Sequence, residues 1–293
     1  MNRLSAERRT AVIKALVEGN SIRATCRMTG TAKGTVLRLL AEMGEACEAF
    51  HDRTVRNIKA KRLQADEIWS FCHAKARNVP AHLEGKPGIG DLWTWVVLDA
   101  DTKLAISYLV GQRDQGEATV FMRDLVSRLI GRAQLTTDGF PGYLKAVEEA
   151  FGWNGVDYAM LIKIYGAGHE VDRGYSPPVC VGAEKHWIMG KPNRAHVSTS
   201  FVERQNLTMR MQMRRFTRLT NAFSKKAANH AHAVALHFVH YNFCRPHQTL
   251  TRAAKGVYRT PAMVAGLTNR VWTMADIVAL LDTKSDQKTA SSE

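Results

Sequence analysis

A carboxylate inside an apolar strand pattern is the feature that most constrains this chain. Residues 64–71 read Gln-Ala-Asp-Glu-Ile-Trp-Ser-Phe and place Asp66 in what the pattern predicts to be a buried strand. An apolar strand seldom carries a carboxylate without a partner or a bound cation, because burying the free charge costs free energy. Two later acids offer themselves as partners: Asp138 ends an apolar stretch before a glycine, and Glu203 opens a helical pattern. Together the three predict a metal site.

Net charge is the second constraint. The 293 residues include 41 Lys and Arg against 27 Asp and Glu, which gives a formal net charge of +14. An excess of this size usually serves a polyanionic partner, with nucleic acid ahead of an anionic membrane surface. Because there are 27 acids to choose from, three carboxylates are informative only through their context.

The sequence also carries expectations about location. It has no stretch of about 18 apolar residues, and its first residues lack the apolar core of a signal peptide. We therefore expect a cytoplasmic, nucleoid-associated protein with no membrane partner. The five cysteines are scattered and form no Cys-x-x-Cys pair, which predicts reduced thiols and no zinc site.

Residues 1–50 carry three helical patterns and predict an all-α, helix-turn-helix DNA-binding domain. Gly30 supplies the tight turn between the second and third patterns, and the small Cys26 falls where two helices would cross. In this motif the second helix of the pair enters the major groove with its first residues on the base edges. The alternative is a three-helix bundle that only packs. The candidate DNA contacts are Lys33, Thr35 and Arg38.

Residues 51–63 turn polar and basic and predict a linker. Residues 1–63 hold 13 Lys and Arg against six Asp and Glu. Such a linker either is simply solvated or lies along a phosphate backbone, where each neutralised phosphate adds salt-dependent affinity. The candidate phosphate contacts are Arg53, Arg56, Lys59 and Arg62.

The order of elements predicts the fold of residues 64–250. Three strands are followed by a helix, a strand, a helix, a strand, an irregular insertion at about 166–199, and a further helix. This is the order of an α/β ribonuclease H-like domain, a mixed five-stranded sheet with helices on both faces, in which the fourth strand lies beside a central first strand. The insertion contacts DNA or a second protomer, or is a plain surface loop. Residues 251–293 are expected to form a C-terminal extension with a disordered tail from Asp282.

The three acids suit phosphodiester chemistry in that fold. Two Mg²⁺ ions about 4 Å apart activate the attacking oxygen and neutralise the leaving one. Magnesium prefers oxygen ligands, and a few carboxylates with water and substrate phosphate satisfy it. Adjacent strands can hold Asp66 and Asp138 side by side, and a helix across the strand ends can add Glu203.

The helical pattern that begins near Glu203 is rich in arginine. Helical spacing predicts that Asn206, Arg210 and Arg214 line up behind Glu203, where a phosphate backbone could pass. The alternative is an exposed arginine-rich helix that binds nothing.

The chain resembles the transposases of the insertion sequence 1 family, a part of the larger group of DDE transposases and integrases. The matching motifs lie at residues 65–71, 99–103, 136–140, 203–210 and 241–250. The resemblance covers roughly residues 1–265. It implies dependence on Mg²⁺ or Mn²⁺, binding to terminal inverted repeats, strand cleavage that exposes a 3′ hydroxyl, and joining of that end to target DNA. It assigns the catalytic and metal-binding triad to Asp66, Asp138 and Glu203.

The expected function is therefore that of a DDE transposase acting on double-stranded DNA as a homodimer or a larger assembly. A DNA-binding regulator with an inactive ribonuclease H-like scaffold is the alternative from another class. A ribonuclease H or junction nuclease, which cuts without joining, would explain the acids but leave the helix-turn-helix without a purpose.

Overall fold

A computed structural model describes residues 4–166, 179–217 and 220–290, with side chains placed through residue 282. Within these residues ten α-helices and six strands follow one another along the chain. The helices are α1 Ala6–Val17, α2 Ile22–Thr29, α3 Lys33–Thr54, α4 Gln115–Arg128, α5 Gly142–Phe151, α6 Ser200–Gln212, α7 Ala227–Val239, α8 Gln248–Ala253, α9 Pro261–Val264 and α10 Met274–Ala290. The strands are β1 Arg62–Cys72, β2 Gly90–Asp99, β3 Ala105–Gly111, β4 Gln134–Thr137, β5 Asp157–Tyr165 and β6 Cys180–Met189.

The strands form one mixed sheet in the order β3-β2-β1-β4-β5-β6. Strands β1, β4 and β5 are parallel, whereas β2, β3 and β6 run antiparallel to their neighbours. The first strand is central and the fourth lies beside it, so the sheet has the ribonuclease H-like arrangement expected from the sequence.

The sheet has six strands where five were predicted. The extra strand, β6, lies within the stretch that was read as an irregular insertion. All ten of its residues are exposed or half-buried, so it carries no apolar alternation from which a strand is recognised. Residues 167–178 of the same stretch lie outside the described residues.

Helices cover both faces of the sheet. On one face, Trp95 of β2 packs its ring against Phe121 of α4 and Tyr143 of α5. On the other face, Ile68 and Val96 join buried residues of α6 and α7, among them Val202. Because side chains alternate along a strand, consecutive residues of β1 face opposite helical layers.

The N-terminal helices are continuous with this core. Helix α2 ends at Gly30 in the left-handed conformation, with φ of 60°, and α3 begins three residues later. The 22-residue α3 runs on to Thr54, beyond the predicted domain limit at residue 50, and packs against α7. Only residues 55–61 separate it from β1, and Ile58 among them pairs with Leu129 after α4.

The C-terminal extension also differs from expectation. The sequence predicted a short helix followed by a disordered tail from Asp282, whereas the backbone of α10 is helical through Ala290. Helix α10 packs on α1 and α3 through buried apolar residues such as Ile277. Among the residues described, none forms a helix long and apolar enough to cross a bilayer.

Candidate active site

The predicted triad comes together. Asp66 from β1, Asp138 from the end of β4 and Glu203 from the first turn of α6 all line one open pocket. The pocket also exposes basic and amide groups that the three acids face. Its other polar lining residues are Glu67, Arg113, Lys163, Tyr165, Thr199, Asn206 and Arg210.

The strand register explains the convergence of the two aspartates. The parallel pairing of β1 with β4 ends at the pair formed by Ala65 and Thr137. Asp66 and Asp138 are the next residue on each strand, so both carboxylates stand where the two strands part. In open α/β sheets, such a crevice beyond the carboxyl ends of parallel strands is the usual place for a ligand.

The Asp66 carboxylate is held by a neutral amide. Asn206 Nδ2 donates a hydrogen bond to Asp66 Oδ2 at 2.9 Å. Burial, and after it the negative charges of Glu67 and Asp138, raises the pKa of Asp66 to about 8. The carboxylate therefore lies in a place that favours either a proton or a bound cation.

Asp138 shares a guanidinium with Glu67. Arg113 Nε donates to Glu67 Oε2 at 2.9 Å, and Arg113 Nη2 donates to Asp138 Oδ2 at 3.3 Å. The guanidinium stacks over the ring of Phe140 with its carbon 4.2 Å from the ring centroid. Burial raises the pKa of Glu67 to about 7, with the charge of Asp138 as the second cause, and burial also raises the pKa of Asp138.

Glu203 is bound differently. Lys163 Nζ of β5 lies 2.5 Å from Glu203 Oε2, and the Thr199 hydroxyl donates to Glu203 Oε1. The third acid of the triad is therefore neutralised by a lysine that sequence reasoning did not single out.

A glutamine of β1 fixes the position of α6. The N-cap residue of α6, Thr199, makes no side-chain hydrogen bond to the backbone at the start of the helix. Instead, Gln64 Oε1 accepts hydrogen bonds from the backbone N–H groups of Phe201 at 2.8 Å and Val202 at 3.1 Å. Gln64 is two residues from Asp66 on the same face of β1, so the cap ties the strand that carries the first acid to the helix that carries the third.

The arginine-rich helix is shorter than predicted. Asn206 and Arg210 lie on α6 and line the pocket with Glu203. Arg214 does not continue that face, because α6 ends at Gln212 and Arg214 is an exposed residue of a separate 3₁₀ turn.

The N-terminal DNA-contact candidates divide into exposed and internally bound residues. Lys33 and Arg38 are exposed on the first turns of α3, with Thr35 half-buried between them. Arg53 and Lys59 are also exposed.

Three basic candidates have protein partners. Arg38 forms an ion pair with Glu42, with 4.0 Å between Arg38 Nε and Glu42 Oε1. The other two, Arg56 and Arg62, are hydrogen-bonded to carboxylates. Arg56 binds the Asp52 carboxylate and the Ser127 hydroxyl. Arg62 binds the Asp101 carboxylate with two nitrogens. Both side chains would have to exchange these partners for phosphate in order to contact DNA.

The site contains residues that sequence reasoning missed. Glu67 follows Asp66 directly, yet strand alternation places it on the opposite face of β1 and gave no reason to group the two. The side chains of Asp66 and Glu67 reach the same crevice because the pairing of β1 with β4 ends just before them. Arg113 and Lys163 had no local signal, because their importance depends on which strands lie side by side.

The donor set fits divalent cations. One carboxylate oxygen from each of Asp66, Glu67 and Asp138 can be chosen so that all lie within 4.8 Å of one another. Hard oxygen donors of this kind suit Mg²⁺ and Mn²⁺ rather than softer metals. With Glu203 included, the pocket holds four carboxylates. Arg113 binds those of Glu67 and Asp138, and Lys163 binds that of Glu203.

Comparison with known proteins gives distant likenesses only. No protein-family model matches the chain, and no curated protein does either. A solved structure titled the Mos1 Strand Transfer Complex is similar over 54% of this chain and 58% of that chain, with 13% identity and a TM-score of 0.24. The Mos1 mariner paired end complex with Mn is similar over 54% and 59%, with 11% identity and a TM-score of 0.22. The chain thus matches less than two thirds of the length of these proteins, and similarity this low assigns no activity.

Proposed function

We propose that this chain is a DNA transposase of the DDE type, which binds the terminal inverted repeats of an insertion sequence and carries out strand cleavage and strand transfer. The observation that carries the proposal is the convergence of Asp66, Asp138 and Glu203 on one crevice of a ribonuclease H-like sheet. The net charge of +14 supports DNA as the substrate. The resemblance of the motifs to the insertion sequence 1 family supports a transposase among the enzymes that cut DNA.

Each of the two steps replaces a bond at phosphorus by attack of an oxygen, from water in cleavage and from a 3′ hydroxyl in joining. Two Mg²⁺ or Mn²⁺ ions, when bound, would activate the attacking oxygen and neutralise the leaving one. Asp66, Asp138 and Glu203 would hold these ions. Asn206 would orient the Asp66 carboxylate through its hydrogen bond.

DNA would bind through two surfaces. The first turns of α3 would enter the major groove with Lys33, Thr35 and Arg38. Beside the crevice, Asn206 and Arg210 would face the phosphate backbone near the scissile bond, and Arg214 would contact it from the turn after α6. Arg53 and Lys59 would add phosphate contacts between the two surfaces, joined by Arg56 and Arg62 if they exchange their present carboxylate partners.

Two element ends must be processed together, so we expect a homodimer or larger assembly on paired ends. Symmetric assembly would give each end its own crevice.

The test is a joining assay on labelled duplexes that carry the inverted repeats of the element encoding this chain, with Mg²⁺ and an unlabelled target. The proposal predicts a nick that exposes a 3′ hydroxyl, followed by a longer labelled product in which that end is linked to target. Omitting Mg²⁺ should abolish both products while leaving DNA binding, measured by mobility shift, in place.

Other products would point elsewhere. A nick without any joined product would indicate a nuclease. Specific binding without nicking would indicate the regulator with an inactive scaffold, and the transposase proposal would fall.

A further inference from the structure

A fourth carboxylate stands beside the triad. The Glu67 side chain is 1% exposed, and one of its oxygens lies within 4.8 Å of a carboxylate oxygen of both Asp66 and Asp138. An octahedral Mg²⁺ at about 2.1 Å from its ligands separates them by about 3 to 4 Å, so this spacing accommodates one shared ion.

A buried oxygen at the same place has no hydrogen-bond partner among the described residues. It is Oδ1 of Asn206, a residue that is 6% exposed and lines the pocket. Asp66 accepts a hydrogen bond from the other end of the Asn206 amide. Since buried polar atoms are normally bonded, this oxygen indicates a ligand that approaches from the pocket.

Glu67 and Glu203 differ in the partners that bind their carboxylates. Both oxygens of Glu203 are engaged, one by Lys163 and one by Thr199. Glu67 is instead bound by Arg113 and by the neutral Tyr143 hydroxyl, and the described partner of Asp66 is the neutral Asn206 amide. A cation entering the crevice therefore meets Asp66, Glu67 and Asp138 without breaking the ion pair of Glu203.

We propose that Glu67, together with Asp66 and Asp138, is a ligand of the first divalent cation to bind, and that Glu203 is not a ligand of that ion. This inference rests on the proposed function in taking the crevice to be a metal site. It gives Glu67 a role beyond that of a buried counterion for Arg113.

The experiment is a titration of the DNA-free protein with Mn²⁺, followed by the electron paramagnetic resonance signal of free Mn²⁺. Glu67→Gln should weaken the tightest site at least about tenfold, because it removes a charged ligand. Glu203→Gln should leave that site essentially unchanged, and Asp138→Asn should abolish it. The matched control is Glu84→Gln, which makes the same change at an exposed glutamate and should bind as the wild type does.

Folding is checked by melting without metal. A glutamine at position 67 can still accept from Arg113, so the fold should survive. If it does not, the double variant Glu67→Gln/Arg113→Gln removes the pair together and should show the same loss of Mn²⁺.

The proposal is overturned if Glu67→Gln binds Mn²⁺ as tightly as wild type, if Glu203→Gln loses the tightest site, or if the wild type binds none. Because the titration contains no DNA, failure of strand joining would sink the transposase proposal and leave the ligand assignment standing.

Discussion

Asp66 shows how much the site depends on single residues. Its described polar partner is an uncharged amide, and the charges of three further carboxylates, Glu67, Asp138 and Glu203, act on it. Asp157, by contrast, is bound by Arg132 at 2.6 Å near the start of β5, and this hydrogen bond lowers its pKa. One acid is therefore placed where its charge opposes folding, and the other where its charge supports it.

We predict that Asp66→Asn stabilises the metal-free protein at pH 8 but not at pH 4. Burial raises the pKa of Asp66 from 3.8 to about 8, so the folded state binds more protons than the unfolded state between these values. The free energy of unfolding then falls as pH rises through this window. The difference in melting temperature between variant and wild type, measured with chelator, should grow from pH 4 to pH 8, by about 2–4 °C for each kcal/mol.

Asp157→Asn is the control with the opposite sign. Because the folded pKa of Asp157 is lowered, its charge contributes stability above pH 3.8 that is lost as pH falls. The variant should melt below wild type at pH 7 and approach it in acid. A pH-independent difference for Asp66→Asn would contradict the account.

The sequence was sufficient to predict that Asp66, Asp138 and Glu203 lie together, because each has a local context: an apolar strand, a strand end before glycine, and a helix start. It was not sufficient for Glu67, Arg113 or Lys163. Their roles follow from which strands are neighbours and where the pairing of β1 with β4 stops, and neither is encoded in local spacing.

At the scale of elements, the contact that matters most is the one between β1 and α6. The helix carries Glu203 and Asn206, and its first turn is held by the side chain of Gln64 rather than by a cap of its own. A helix start without an acceptor leaves backbone N–H groups unsatisfied.

We predict that Gln64→Met lowers both stability and activity. The change keeps the length of the side chain but removes the acceptor of two N–H groups, which should cost about 1–2 kcal/mol in the free energy of unfolding. Strand cleavage should fall further than stability alone explains, because Glu203 and Asn206 lose their fixed positions. Chemical denaturation and single-turnover cleavage are the measurements.

Gln115→Met is the matched control, since Gln115 is exposed at the start of α4. It should change neither quantity. Normal cleavage by a Gln64→Met protein of lowered stability would show that the cap supports the fold and not the site.

The sequence predicted those helices and strands that have an apolar stripe or a continuous apolar stretch, but it did not predict β6. Its residues are exposed on both faces, and it is a strand only because β5 offers a free edge. The end of α6 was predicted too late for a related reason. Arginines at helical spacing continue past Gln212, but the helix ends before Met213, which is buried among the apolar residues between the sheet and helices α6 and α7.

In the molecule as a whole, the N-terminal helices and the sheet share one core. Helix α3 connects the N-terminal helices to the rest of the fold. Its first turns carry the DNA-contact candidates Lys33, Thr35 and Arg38, and its later turns pack on α7. Gly44 lies at that crossing, where an added Cβ would fall 2.5 Å from His232 Cα. Sequence patterns showed the helices but could not show this shared packing, which has no local signature.

We predict that Gly44→Ala destabilises the whole chain by about 1–3 kcal/mol, because the two helices would have to separate. Unfolding should remain a single transition, with the N-terminal helices and the sheet lost together. The measurement is chemical denaturation followed by circular dichroism and by tryptophan fluorescence.

Gly34→Ala makes the same change where no atom lies within 4 Å of the added Cβ. It should raise stability by up to about 1 kcal/mol, as alanine does within a helix. Two separate transitions, or a Gly44→Ala protein as stable as wild type, would contradict a shared core.

The most direct measurement of the central claim is Mg²⁺-dependent nicking of terminal-repeat DNA by wild type, Asp138→Asn and the control Asp157→Asn. If the crevice is the active site, Asp138→Asn should bind DNA normally and nick at least about 10²–10³-fold more slowly, whereas Asp157→Asn nicks at the wild-type rate. Nicking by Asp138→Asn at the wild-type rate would contradict the account and place the chemistry elsewhere in the molecule.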